Sequence, residues 1–283
     1  MTTKVKIGIS TCPNDTFAFH ALLNNRIATD GIQFSFELLD VQELNQRLFA
    51  GDFDVAKASF HAAILLANDL AVLSSGSALG FGVGPLLLAA ANDTQPDGVF
   101  TDSDGAIRKP VVACPGEHTT ATLLYDLFYP DCGKVQQMVF SEIMPSLQTG
   151  VADFGVCIHE GRFTYAEEGL VCVCDLGSRW ENETGLPLPL GGILVRKSLG
   201  EPLMKKIQAL VQASIHYGLK HRGETLKTMK RYAQELSDDV LFAHVDTYVN
   251  QWTVELGNLG ERALETLADR VVSEAARTIS IVK

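Results

Sequence analysis

His159 stands one residue past a short apolar run, in Ile158-His159-Glu160-Gly161-Arg162. The run reads as a buried strand and residues 160–168 as a helix, which places the imidazole where a strand gives way to a helix. A helix N-terminus disfavours imidazolium and would keep the ring neutral, able to take a proton near neutral pH. A surface histidine capping a helix is the competing reading. Thr119 and Thr120 follow the loop Pro115-Gly116-Glu117-His118 and open another helix. Two hydroxyls and first-turn N–H groups suit a carboxylate, whereas a plain N-cap would use only one of the threonines. Lys57, in Lys57-Ala58-Ser59, lies at the end of a buried strand, where an ammonium needs a ligand or a specific ion pair. Asn14-Asp15-Thr16 brings polar groups to the end of the first strand. Trp180 reads either as part of a segment closing over a site or as a packing anchor. His20 and His61 fall inside helices and read as structural, and His216, His221 and His244 as solvated.

Metal and nucleotide chemistry find no support in the spacing. No second histidine stands four residues from His159, and no C-x-x-C pair occurs among the six cysteines. Phosphate-loop and nucleophile-elbow motifs are also absent from the sequence. No metal is expected. Gly80-Phe-Gly82-Val-Gly84 lacks dinucleotide-loop spacing and reads as close backbone packing. The cysteines read as buried free thiols of a cytoplasmic protein.

These residues must be positioned by a framework, and the 283 residues suffice for about two domains. Hydrophobic residues make up 46% of the chain, enough for a sizeable core. The net charge of −11 argues against a nucleic-acid partner but leaves room for a locally positive pocket and a small anionic ligand. The longest apolar stretch, residues 85–91, has 7 residues against the ~20 a membrane span needs, and the N-terminus does not read as a secretory signal. Residues 4–10 alternate around Val5, Ile7 and Ile9 as a strand does. Strand and helix patterns then succeed one another through residue 66 and again over 110–174, which predicts an α/β fold with parallel sheets. Residues 203–275 carry helical periodicity throughout.

One internal echo organises this pattern. Leu48, Gly51 and Asp54 recur as Leu147, Gly150 and Asp153, each set reading as helix, glycine stop, aspartate and short buried strand. Two similar lobes follow: residues 1–92 with 192–283 forming one, residues 93–191 inserted as the other. Open α/β sheets bind ligands beyond the carboxyl ends of their strands, so Ser59 and His159 are expected to face a shared cleft. Two crossings between lobes would permit a hinge.

Five segments together resemble the 1,4-dihydroxy-6-naphthoate synthase family of the futalosine route to menaquinone. They are Thr11-Cys-Pro-Asn-Asp-Thr-Phe-Ala-Phe-His20, Lys57-Ala-Ser-Phe-His61, Gly76-Ser-Ala-Leu-Gly-Phe-Gly-Val-Gly-Pro85, Pro115-Gly-Glu-His-Thr-Thr-Ala121 and Ile158-His-Glu-Gly-Arg-Phe-Thr-Tyr165. The resemblance runs from the first strand to Leu190-Gly191-Gly192. It implies a two-lobed fold of the periplasmic-binding-protein type II kind, with a cleft and a helical C-terminal region. It implies a cofactor-independent lyase that converts cyclic dehypoxanthine futalosine to 1,4-dihydroxy-6-naphthoate and dihydroxyacetone. Carried over by motif, Lys57, Ala58, Ser59, Thr119 and Thr120 are substrate-contacting, and His159 matches the family's base. Asn14, Asp15, Arg162 and Trp180 are further cleft candidates, and Asp15 and Glu160 the candidates for a general acid. Chorismate dehydratase and a non-catalytic solute-binding protein are the rival readings, and no oligomeric state is implied.

Overall fold

The computed structural model describes residues 2–91, 95–102, 104–159, 161–233, 237–271 and 279–283. In chain order the elements are β1 (Thr3–Ser10), α1 (Pro13–Ala18), α2 (His20–Leu23), β2 (Ile32–Leu39), α3 (Val41–Ala50), β3 (Val55–Ser59), α4 (Phe60–Leu65), β4 (Leu70–Leu73), β5 (Ala78–Gly80), β6 (Leu86–Ala89), β7 (Phe100–Thr101), β8 (Ile107–Arg108), β9 (Val111–Cys114) and α5 (Thr120–Phe128). There follow β10 (Lys134–Gln137), α6 (Phe140–Gln148), β11 (Phe154–Cys157), α7 (Gly161–Thr164), β12 (Val171–Asp175), α8 (Leu176–Thr184), β13 (Leu188–Arg196), α9 (Glu201–Lys220), α10 (Arg222–Tyr232), α11 (Asp238–Tyr248), α12 (Gln251–Val254), α13 (Gly257–Val271) and β14 (Ile281–Val282).

The chain divides into two units, residues 1–80 with 189–283 and residues 81–188. The sequence pattern had placed the divisions at 92 and 191. Pairing explains the earlier start, because β6 runs antiparallel to both β11 and β12 inside the second sheet.

The first unit holds a sheet of order β14-β4-β13-β3-β1-β2, with β5 on β13. Strands β1, β2 and β3 are parallel, as the strand–helix alternation predicts. β13 enters antiparallel between β3 and β4 from far along the chain. Val5, Ile7 and Ile9 point from one face of β1 into a core shared with Val55, Ile193, Val195 and the Ile207–Val211–Ile215 stripe of α9. The second unit holds the sheet β10-β9-β11-β6-β12, cored by Leu86, Leu88, Ala113, Ile143 and Leu147.

The echo is structural. In the first unit α3 stops at Gly51, whose φ of 90° is the left-handed region that glycine adopts without strain. The Asp54 N–H donates to the Lys6 carbonyl at 3.1 Å, and Asp54 Oδ2 accepts the Lys6 N–H at 2.8 Å. In the second unit Gly150, φ 71°, follows α6. There Asp153 bonds the same way to Val111, at 2.9 and 2.7 Å. Each aspartate thus adds a side-chain rung to the foot of a parallel strand pair.

Local differences have local causes. The helix expected over 160–168 is the single turn α7, and the strand expected over 135–140 stops at Gln137 because Phe140 opens α6. His244 is buried on α11, where a solvated histidine was expected. Of the cysteines expected to be buried, Cys114 and Cys157 are, whereas Cys12, Cys132 and Cys174 are half-buried and Cys172 is exposed. The parts of the expected C-terminal helices at 234–236 and 272–275 lie outside the described residues. Among the described residues no helix is long and apolar enough to cross a membrane.

His20, on α2, is 3% exposed. Its Nδ1 lies 2.8 Å from Thr228 Oγ1 of α10, and its Nε2 is buried without a partner. Burial holds its pKa below the ordinary imidazole value, against the opposing pull of Glu224. The unfolded chain therefore binds the proton more readily, and the stabilisation present above pH ~6.5 is lost as pH falls through the folded value. Urea unfolding from pH 7 to 5 should show wild type losing stability relative to His20→Gln, at a limiting slope of about 1.4 kcal/mol per pH unit. A difference that stays constant with pH would contradict the burial.

Candidate active site

At the carboxyl ends of β1 and β3 in the first unit, charge is buried and paired. Lys57 Nζ lies 2.9 Å from Asp15 Oδ1, with side chains 8% and 4% exposed. The Ser10 hydroxyl donates to Asp15 Oδ2 at 2.6 Å and Asn14 Nδ2 to Oδ1 at 3.0 Å. Lys57 also donates to the Gly76 carbonyl at 3.4 Å. Of the two readings of Lys57, the specific ion pair is the one seen. Lys57, Ser10 and Asn14 all bond to the Asp15 carboxylate. Asn14, Asp15 and Lys57 thus form one cluster.

Ser59 is held separately. Its N–H donates to Asn45 Oδ1 at 3.0 Å, which fixes the amide orientation, so Asn45 Nδ2 donates to Ser59 Oγ at 3.1 Å. The Ser59 hydroxyl is then an acceptor toward Asn45 and keeps its own proton to donate. Ala58 is buried and pairs with Gly192 of β13. Asn45 was missed by the sequence reading. Its only signal is an amide beside Leu44 and Leu48 on the buried side of α3, where it is fully buried.

In the second unit Thr119 is the N-cap of α5. Its Oγ1 donates to the Gly116 carbonyl at 2.7 Å and accepts the Thr122 N–H at 3.2 Å. The capping reading holds for Thr119, and Thr120, 3% exposed, opens the first turn. Burial pushes the nearby Cys114 thiol up to about 12, which leaves it protonated and unreactive at neutral pH.

His159 follows β11 with φ 58°, a left-handed conformation uncommon for a residue with a Cβ. Its ring meets Phe140 edge-on, with centroids 4.8 Å apart and planes at 69°. The helix-dipole expectation is not met, because the four residues of α7 are too short to build a macrodipole. Glu160 lies outside the described residues. Arg162, expected as a cleft residue, is engaged within its own unit: it donates to the Gly84 carbonyl at 2.6 Å and to Asp175 Oδ2 at 2.7 Å. Trp180 is wholly buried on α8 and donates to the Pro187 carbonyl at 3.3 Å, the position of a packing anchor and not of a lid. Within the glycine segment the expected close packing is seen at Gly84, where a Cβ would lie 2.2 Å from the Gly177 Cα, and not at Gly82, which has φ 69° and open space around it. Among the described residues no group of three or more His, Cys, Asp or Glu side chains is placed to hold a metal ion.

A family model described as menaquinone biosynthesis matches residues 5–273. A 1,4-dihydroxy-6-naphthoate synthase of Thermus thermophilus is 41% identical over 263 residues, covering 93% of this chain and 92% of the relative. One of Streptomyces coelicolor is 36% identical over 276 residues, covering 95% and 93%. Among solved structures, a protein of Archaeoglobus fulgidus superimposes with a TM-score of 0.85 at 29% identity, covering 95% of this chain and 96% of that one. A Candida albicans protein described as having the generic periplasmic binding protein fold gives 0.63 at 13% identity, covering 99% and 94%. The second likeness bears on fold alone: the chain has the α/β fold of periplasmic binding proteins.

The Asp15–Lys57 pair carries a stability prediction. Removing one partner of a buried pair leaves an uncompensated charge and costs about 3–5 kcal/mol, whereas apolar replacement of both is often near neutral. Lys57→Met should therefore be strongly destabilised in urea unfolding, and the Lys57→Met/Asp15→Leu double variant should recover most of the loss. Single variants costing under about 1 kcal/mol, the range of exposed pairs, would mean that the pair is solvated.

Proposed function

The chain belongs to the menaquinone biosynthesis family, and on that premise we propose that it cleaves cyclic dehypoxanthine futalosine to 1,4-dihydroxy-6-naphthoate and dihydroxyacetone, with His159 as the general base. It is an enzyme of that biosynthesis, related to 1,4-dihydroxy-6-naphthoate synthases. The substrate and the base are our reading.

The proposed reaction removes a proton next to a carbonyl, breaks the carbon–carbon bond to the three-carbon remnant of the sugar, and leaves an aromatic ring. Aromatisation supplies the driving force, and the conversion is redox-neutral. What the protein must supply is a base and donors for developing negative charge. The observation that carries the reading is the backbone of His159. A non-glycine residue held at φ 58° at the carboxyl end of a strand costs of the order of 1–3 kcal/mol and persists only when its surroundings impose it. Asn25, Asp30 and Asp131 also have positive φ, but His159 is the one imidazole among these residues and stands just past a strand end, which supports a task for it. Thr120, at the first turn of α5, is the proposed partner of the substrate carboxylate, and Thr119 supports it by capping that helix. Lys57 and the Ser59 hydroxyl are proposed donors to substrate oxygens, with Ala58 beside them. Donors of this kind act by being fixed before charge develops.

His159→Asn tests the reading. The substitution keeps a polar planar side chain that tolerates left-handed backbone. It should lower kcat by roughly 10²–10⁴-fold, the usual contribution of general base catalysis, and leave the substrate Kd nearly unchanged. A near-normal kcat would remove His159 from the mechanism.

A further inference from the structure

We propose that Arg162 is a positioning residue for His159: its guanidinium, fixed at two points, holds the left-handed turn that presents the imidazole. The inference rests on the reading of His159 as the base and adds the group that places it.

Four observations lie around this turn. The Arg162 N–H closes it by donating to the His159 carbonyl at 3.4 Å. A Cβ on Gly161 would stand 2.3 Å from Cys157 Sγ, so the chain folds back tightly on the end of β11. Phe140, the first residue of α6, covers the imidazole edge-on. These contacts tie the turn to β11 and α6. The Arg162 side chain reaches further, donating through Nη1 to the Gly84 carbonyl and through Nη2 to Asp175 Oδ2.

Both anchors are rigid. Gly84 and Gly177 meet backbone to backbone, with no room for a Cβ on either. Asp175 ends β12, and its other oxygen, Oδ1, accepts the Ser178 N–H at 2.9 Å and so caps α8. The ion pair is mostly buried, with side chains 18% and 24% exposed. A planar guanidinium can satisfy a carbonyl and a carboxylate at once in a fixed geometry, which a lysine ammonium cannot reproduce. Catalysis is sensitive to such placement: an error of about 1 Å in a reacting group can cost about 10²-fold.

The test uses the full-length protein with Arg162→Lys, Arg162→Gln, Asp175→Asn and the Arg162→Gln/Asp175→Asn double variant. Each is checked for folding by circular dichroism and assayed well below its Tm. With cyclic dehypoxanthine futalosine, each single variant should lose about 10–100-fold in kcat with KM little changed. The double variant should be no worse than the worse single one, because both groups act through one turn. The second readout needs no substrate. The imidazole C–H resonances of His159, assigned by their loss in His159→Asn, should be displaced in wild type by the Phe140 ring. They should move toward unstructured values in the Arg162 variants. If Arg162→Gln fails to fold, Arg162→Lys and Asp175→Asn decide on the same readouts. Lower Tm with unchanged His159 resonances and unchanged kcat would make Arg162 merely structural and overturn the proposal. Should wild type fail to turn over the substrate, the proposed reaction falls while the resonances still decide the role of Arg162.

Discussion

In each unit an aspartate just ahead of a strand bonds both ways to a backbone residue of the neighbouring parallel strand, Asp54 to Lys6 and Asp153 to Val111. This interaction fixes register, and register decides which side chains reach each face and where each strand ends. A slip of one residue would turn the whole alternation inside out. In the second unit Arg108 doubles the constraint, donating to both Asp153 oxygens at 2.6 and 2.8 Å and holding that carboxyl below its usual pKa range. Five residues on from each aspartate lie Ser59, at the end of β3, and Ile158, just ahead of His159.

At those strand ends the backbone ladder gives out, and polar side chains take over its work. In the first unit the takeover is electrostatic. Lys57 and Asp15 neutralise one another out of water, with Ser10 and Asn14 completing the carboxylate. Asn45 gives Ser59 a defined donor direction. In the second unit it is conformational. A left-handed histidine is held between a glycine packed against Cys157 Sγ, a phenyl ring and an arginine tied to two fixed points. Under the proposed function, stability and catalysis would share these groups, so their loss should be felt in both.

Much of this is legible in the sequence because it is local. The Leu–Gly–Asp spacing announced the repeated helix, stop and strand, and the alternation of Val5, Ile7 and Ile9 announced β1. The position of His159 beyond an apolar run follows from the same reasoning. What is not legible is set by distant partners. Nothing near β3 or β4 shows that β13 will enter between them. Asn45 looks like any helical amide until Ser59 is placed against it, and Arg162 looks like a cleft residue until Gly84 and Asp175 claim it. That Lys57 meets Asp15 and that Thr119 caps α5 is seen only once the side chains are placed.

The proposed activity is that of a carbon–carbon lyase working by proton abstraction. Its most direct test is to incubate the purified protein separately with cyclic dehypoxanthine futalosine and with chorismate, and to identify the products by mass. The account predicts 1,4-dihydroxy-6-naphthoate and dihydroxyacetone in equal amounts from the first, and no turnover of the second. An enol ether formed from chorismate, with the cyclic compound recovered unchanged, would contradict it.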